Sequence, residues 1–467
     1  MSKDLALMPA SKLVKLFRRG KASPVEALQA VFAQTDRLNP ILNAFQAQDR
    51  DRAMKAAKAS EKRWKKGKPI SDIDGVPTTI KDTLWTIGMP TLFGTKANDP
   101  KGPWTQDAPV PGSLRAAGAV IFAKTTTPEY GWKGVTDSPL FGITRNPWNT
   151  EKTPGGSSGG SAASLAAGMG TFSAGTDAAG SVRIPASFSG LATLKATFAR
   201  VPVYPPSAQG TLSNIGPMAR NVTDVAMMMN VITKPDPREW YGLPYDGMDY
   251  VKALKGSLKG LKIAYSPTLG FVKNVDPEVA AAVAKAAKVF TRLGAKVTEV
   301  DPGIPDTTQI LDTHWMGNVS VLLKKFSAEQ QKLMDPGLLR AAAVGARQSQ
   351  SDYITAINQR QEIGATLNVF MSKYDLLLTP TMPIPAFDVG KSTPKGGDDV
   401  SLAWTPFTLT FNLSRQPAAS VPCGLTKSGL PIGLQIVGGH YKDALVLRAA
   451  KAFEDEVGTF TPKMATA

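Results

Sequence analysis

LKIAY (residues 261–265), EVAAAVAKAAKVFTRL (278–293) and AKVTEV (295–300) follow one another as a β-prone run, an Ala-rich helical run and a second β-prone run. Leu293 and Gly294 read as the helix's C-cap, because glycine takes the left-handed backbone conformation at little steric cost. The same rhythm recurs outward from this unit. Short β-rich runs at Val76–Leu84 and Ala119–Lys124 alternate with helical stretches and Gly/Pro turns. Leu376–Thr379 reads as a strand closed by Pro380, Pro383 and Pro385, and Gly433–Val437 as a strand before a helix at Asp443–Glu454. This alternation predicts an α/β fold with a mostly parallel sheet.

The first 68 residues read as helices instead. Ser23, Pro24 and Glu26 form an N-cap, a first-turn proline and a reciprocating carboxylate. Val25, Leu28, Val31, Phe32 and Leu38 then recur near helical spacing, and a further helix is predicted from Arg50 to Lys66, stopping at Gly67. With no internal repeat and no clean linker, the 467 residues are expected to form one large domain. In it a basic helical segment, 1–68, packs on an α/β core, 69–467.

Composition excludes several functions. Apolar residues at 42% and charged residues at 20% describe a globular chain. The single cysteine, Cys423, rules out an intramolecular disulfide framework and reads as a small packed side chain. With only His314 and His440 beside it, soft ligands are too few for a zinc centre, and no cofactor is expected. A histidine base for hydrolysis is scarce for the same reason. No apolar run reaches the roughly 18–20 residues of a membrane span, and the N-terminal stretch carries Lys12, Lys15, Arg18 and Arg19 where a leader needs apolar residues. A cytoplasmic location is expected. The net charge of +16 raises nucleic-acid binding, and residues 1–68 alone carry +10. Most of the remaining Lys and Arg are dispersed, which describes solvated helix faces and argues against a nucleic-acid partner.

Residues 151–190 carry the chemistry. They hold 9 Gly, 8 Ser and 8 Ala with only four charges, in two clusters, GGSSGG (155–160) and DAAGSVR (177–183). A flexible linker has this composition, but Leu165, Met169, Phe172, Ile184, Pro185 and Phe188 are anchors a linker does not need. Small residues also let backbone N–H groups approach a reacting atom closely. Two windows match the G-x-S-x-G nucleophile elbow, centred on Ser157 and Ser158, yet residues 149–154 before them do not read as the buried strand that motif requires. The S-x-x-K spacing from Ser392 to Lys395 encloses Pro394 in a Gly/Asp-rich loop and reads as chance. With histidine scarce, lysine is the remaining base, and burial can depress a lysine pKa by several units. Lys81 ends the apolar run VPTTI (76–80) and precedes Asp82. On local sequence it is either such a base or the partner of a carboxylate at a strand end.

Gly75-Val76-Pro77 through Lys81-Asp82, the Gly155–Ser161 cluster, and Gly180-Ser181-Val182-Arg183-Ile184-Pro185-Ala186 together resemble the amidase signature family of Ser–Ser–Lys amide hydrolases. The likeness extends over most of the chain, from the Pro24–Leu28 helix through Arg145–Asn149 to the Gly429–Gln435 stretch. It implies a large twisted mixed β-sheet sandwiched by α-helices. It also implies Ser181 as nucleophile, Ser157 as a bridging serine after a cis peptide, and Lys81 as base. The N–H groups of Ala178, Ala179, Gly180 and Ser181 would form an oxyanion hole. Asp177 and Arg183 are expected to brace the loop as an ion pair, and Ser158 to support the triad through hydrogen bonds. Tyr130, Trp132, Phe141, Ile184 and His314 are candidates for the substrate pocket.

Two departures from the family pattern bear on function. Ala179 stands where many members carry a first glycine, and Ile184 where transamidation subunits usually have glutamine. The expectation is a hydrolase of aryl or apolar amides, with esters and carbamates (urethanes) as companions. It would act on small molecules as a monomer or homodimer. The alternative is an amidotransferase-type subunit of a tRNA-dependent transamidation complex.

Overall fold

Side chains that alternate along a strand point to opposite faces of a sheet, and here both faces are apolar. Leu376 and Leu378 join one large hydrophobic cluster while Leu377 joins another; Ile436 and Val437, and Ala419 and Ala418, divide in the same way. The computed structural model describes residues 2–397 and 399–467. Its main sheet has eleven strands. In chain order they are β1 (Phe45–Gln48), β2 (Pro77–Lys81), β3 (Val120–Thr125), β4 (Phe172–Asp177), β5 (Ala192–Lys195), β6 (Asn214–Ala219), β7 (Lys262–Tyr265), β8 (Lys296–Glu299), β9 (Leu376–Pro380), β10 (Ala418–Leu425) and β11 (Pro431–Gly438). Across the sheet the order is β1-β3-β2-β4-β6-β5-β10-β11-β9-β7-β8.

The predicted α/β class holds, but the sheet is mixed rather than mostly parallel. Four neighbouring pairs are parallel and six antiparallel. Part of the reason is connection length. The turn from Thr426 to Leu430 returns the chain directly from β10 to β11, and so short a link joins antiparallel strands only. The unit around residues 261–300 does form a parallel pair, β7 and β8, joined by the helix Pro277–Arg292.

Helices cover both faces. Ala10–Arg18, Val222–Ile232, Pro277–Arg292 and Asp443–Val457 contribute to one cluster; Thr308–Leu323, Pro336–Ala346, Gln350–Met371 and Pro406–Leu413 contribute to the other. Ser23 accepts from the Glu26 N–H at 3.2 Å and Glu26 from the Ser23 N–H at 2.8 Å, so the capping box forms as read. The helix Ala10–Arg18 lacks a capping side chain of its own. Buried Asp224 substitutes from another helix, accepting the N–H of Ala10 at 2.7 Å and of Ser11 at 3.1 Å. A carboxylate at a helix N-terminus satisfies orphan donors and suits the helix dipole.

The site is prepared by β2 and β4. They are parallel neighbours, with Thr78 opposite Phe172 and Ile80 opposite Ala174, so their C-terminal ends emerge side by side. Lys81 and Asp177 are the last residues of those strands.

Replacing Asp224 by Ala leaves the buried Ala10 N–H and the half-buried Ser11 N–H without this acceptor. The expected loss is about 1–3 kcal/mol, measured as a lowered urea midpoint; an unchanged midpoint would show that the N-terminal helix is held by its apolar face alone.

Candidate functional site

Lys81 is completely buried, and its Nζ lies 2.7 Å from Ser157 Oγ and 2.8 Å from Thr176 Oγ1. No carboxylate pairs with it among the described residues, so the strand-end ion pair that local sequence allowed does not form. Burial pushes its ammonium down to about 7, against a smaller upward pull from the charge of Asp177. Near neutral pH a large share of the amine is therefore uncharged. A neutral lysine has two N–H donors and one lone pair, and two hydroxyls face it.

Ser157 is positioned by backbone. The Gly156–Ser157 peptide is cis. At Gly156 any side chain would collide with the main chain of Val135, the nearest atom lying 2.4 Å from a Cβ placed there. Thr136 Oγ1 donates to the Gly155 carbonyl at 2.9 Å and accepts from the Gly159 N–H at 3.0 Å, pinning both sides of the turn. Ser158 bonds to the backbone on both sides of residues 177–180. Its N–H donates to the Ser181 carbonyl at 3.1 Å, and its Oγ to the Thr176 carbonyl at 3.2 Å. The chain before Ser157 is irregular, as the sequence indicated, so neither elbow window follows a strand. Ser181 does lie in a strand-to-helix turn, between β4 and the helix Arg183–Ser189.

That turn is built around an ion pair. Asp177 and Arg183 are both fully buried, with Arg183 Nη2 3.0 Å from Asp177 Oδ1 and Nε 3.0 Å from Oδ2. Burial alone would raise the Asp177 pKa; the charge and hydrogen bonds of Arg183, with a bond from Asn412, hold its carboxyl down at about 2. The remaining guanidinium donors reach Gln435 Oε1 at 2.8 Å and Asn412 Oδ1 at 2.5 Å. Asp177 also accepts the N–H of Gly180 at 2.8 Å and of Val182 at 3.3 Å. Gly180 has φ +126°, and a Cβ there would lie 2.3 Å from Thr408 Oγ1. Thr408 in turn donates to the Ala179 carbonyl at 2.8 Å.

The Gly180 N–H, expected in the oxyanion hole, is thus committed to Asp177. The N–H groups of Ala178, Ala179 and Ser181 have no acceptor among the described residues.

A pocket of about 300 Å³ opens onto Ser157, Thr176, Ala178 and Ser181. Its walls are largely aromatic and apolar: Trp85, Phe93, Tyr130, Tyr204 and Trp315, with Pro205, Pro206 and Leu322. Lys325 is its single charged lining residue, and it sits just past the end of the helix that carries Trp315. Of the five predicted pocket residues only Tyr130 lines it. Trp132 is buried beside it, with Nε1 donating to Asp335 at 3.3 Å. Ile184 packs under Gly180 and against Gly134 and Gly155. Phe141 lies in the turn between residues 137 and 143, its carbonyl held by Asn43. His314 lines a different cavity, facing away from Trp315's pocket because the two are adjacent on one helix. Sequence reading overlooked Trp85, Tyr204 and Trp315. The VYPPSAQ stretch (203–209) was the available signal, since a proline-rich loop beside a small-residue cluster is a natural pocket wall.

Ser181 Oγ and Ser157 Oγ share this pocket, but no hydrogen bond joins them. Apo sites often hold such contacts open until a ligand closes them. The geometry offers two hydroxyls, Ser157 and Ser181, on one largely aromatic cavity, with a buried amine behind Ser157 and unbonded backbone donors beside Ser181.

A profile of the Amidase family matches residues 26–447. An acylamidase of Rhodococcus erythropolis is 35% identical over 97% of this chain and 96% of its own length. A glutamyl-tRNA(Gln) amidotransferase subunit of Chloroflexus aggregans is also 35% identical, over 93% of each chain. Among solved structures, a bacterial aryl acylamidase of the amidase signature family superposes with a TM-score of 0.88 at 31% identity, covering 96% of both chains.

Removing Arg183 would strand a buried carboxylate. Arg183→Met is expected to destabilise the protein by about 3–5 kcal/mol, read from chemical denaturation, whereas Arg115→Met, at a partly exposed pair with Asp107, should cost about 1 kcal/mol or less. Equal losses would contradict the central place of the Asp177–Arg183 pair.

Proposed function

The chain belongs to the amidase signature family and is an amide-hydrolysing enzyme, and we propose that it cleaves aryl or apolar amides through an acyl-enzyme on Ser181. Esters and carbamates, whose carbonyls react by the same steps, are proposed as further substrates. The observation that carries the reading is the buried, uncompensated Lys81 amine within hydrogen-bond distance of Ser157.

Neutral Lys81 takes a proton from Ser157 Oγ while Ser157 takes one from Ser181 Oγ, which attacks the substrate carbonyl carbon. A Lys81 N–H donates to Thr176, leaving the lone pair toward Ser157. Negative charge collects on the former carbonyl oxygen, and the N–H groups of Ala178, Ala179 and Ser181 receive it. One donor of this kind is typically worth about 3–4 kcal/mol. As the C–N bond breaks, Ser157 passes a proton to the departing nitrogen and recovers one from Lys81. Water then attacks the acyl-enzyme with the same relay, releasing the acid and restoring the Ser181 hydroxyl. The aromatic walls of the pocket support an aryl or apolar substrate, as does the aryl acylamidase relative.

A second reading, as part of a transamidation complex, has the equally identical Chloroflexus relative in its favour. Ammonia release from glutamine would support it, and acetanilide hydrolysis by the isolated chain would support the first.

Two outcomes are expected. A fluorophosphonate should label Ser181, mapped by peptide mass, and labelling confined to Ser157 or Ser158 would overturn the assignment. Activity, as kcat/KM on acetanilide, should rise with pH through about 7, because the ammonium form of Lys81 cannot accept a proton and predominates below that value. Lys81→Ala should lower the rate by about 10²–10⁴-fold and abolish this limb; a surviving limb would assign the titration to another group.

A further inference from the structure

A cavity of about 660 Å³ lies apart from Ser157 and Ser181, between the helices Thr308–Leu323 and Gln350–Met371 and the residues that follow Leu413. It shares Gln209 with the Ser181 pocket, but neither serine nor Lys325 lines it. Its charge is one-sided. Arg360, Arg415 and both of the chain's histidines line it, and no aspartate or glutamate does.

Arg360 is held entirely by neutral acceptors. Nε donates to the Leu413 carbonyl at 2.8 Å, Nη1 to Thr211 Oγ1 at 2.8 Å, and Nη2 to the carbonyls of Thr211 at 3.1 Å and Asn412 at 3.4 Å. A guanidinium has five N–H donors, so one on Nη1 is unspent. Burial, then the like charge of Arg415, push Arg360 down to about 10, which leaves it cationic at neutral pH. Arg415 lies over the Phe198 ring at 4.7 Å. Neither guanidinium meets a carboxylate among the described residues. His314 is 4% exposed and its Nε2 has no hydrogen-bond partner.

Two facing cations in a partly desolvated cavity, one of them pinned in place, are costly without a counter-charge. A carboxylate would supply it, because its two oxygens match a guanidinium fork. The rest of the wall sets apolar side chains, Leu212, Ile357, Leu413 and the Tyr353 ring, among uncharged polar ones such as Asn318, Gln361 and Asn368, and the volume is that of a small-molecule site. We propose that this cavity binds small organic carboxylates with an apolar or aromatic body, at a site separate from the Ser181 pocket. The inference does not rest on the acyl-enzyme reading, since the test involves no turnover.

The test is calorimetric titration of the full chain at pH 7.5 and low chloride with sodium benzoate, with benzyl alcohol, sodium acetate and sodium phosphate as comparison ligands. Benzoate is expected to bind with one-to-one stoichiometry, at least tenfold tighter than the other three. Arg415→Gln should weaken it tenfold or more, Arg415→Lys should recover part of the loss, and Lys325→Gln should leave it unchanged. Arg415 carries no structural hydrogen bond from its side chain, so its variants are expected to fold, which a matching melting temperature checks. Absence of benzoate binding overturns the proposal. Sensitivity to Lys325 but not Arg415 also overturns it, by placing benzoate in the Ser181 pocket. Phosphate binding as tight as benzoate and competing with it overturns the organic ligand in favour of an inorganic oxyanion.

Discussion

Asp177 and Arg183 meet where water does not reach, and their pairing sets the geometry of the loop that carries Ser181. A buried ion pair holds only when its remaining donors and acceptors are met. Here Gln435 and Asn412 take two more of the guanidinium's donors, while Gly180, Val182 and Asn412 satisfy the carboxylate. These contacts join β4, β11, the helix Pro406–Leu413 and the turn that carries Ser181. Satisfying the pair therefore fixes which backbone donors are consumed and which remain. The Gly180 N–H is spent inside the loop; those of Ala178, Ala179 and Ser181 are left without an acceptor among the described residues. The demand of two charges for partners shapes the site as much as any residue that touches a ligand would.

Lys81 illustrates the opposite treatment of charge one strand away. It is as deeply buried as Arg183 but has hydroxyls instead of a carboxylate at its tip. A full partner would keep it protonated; its absence lets desolvation win. Asp177 is close enough to act on Lys81 through space, but its upward pull is smaller than the effect of burial.

Much of this was legible in the chain. The run 261–300 declared its strand–helix–strand order because an Ala-rich helical run, closed by Gly294, lies between two β-prone runs. Lys81 stood out as a cation at the end of an apolar strand, and the Asp177–Arg183 pair followed from two opposite charges in an otherwise uncharged stretch. β4 and β6 were harder. In FSAGTD (172–177) small residues predominate, and in NIGPMA (214–219) Gly216 and Pro217 interrupt the apolar residues, so neither run carries a clear periodic signal although both are buried. The pocket was mostly illegible. Ile184 directly follows the Asp177–Arg183 loop and Trp132 follows Tyr130 and Gly131 of the pocket wall, yet each faces into packing, because rotation along the backbone decides which side a residue presents. Trp85, Tyr204 and Trp315 come from three distant segments that only the folded sheet brings together. The fate of the Gly180 N–H depended on where the Asp177 carboxylate lies, which spacing alone does not reveal.

The width of the sheet has its own consequence. Eleven strands that do not close into a barrel leave two open margins, each a potential template for another chain's backbone. At one margin β1 pairs with β3 through a break in register between Phe45 and Ala47, and such a bulge twists the strand out of line. At the other, β8 is four residues long, with exposed Lys296 and Glu299 at its ends. Neither margin presents a long, flat, apolar ladder. A chain rich in buried β-structure is in this way guarded against joining its neighbours edge to edge, the first step toward aggregation.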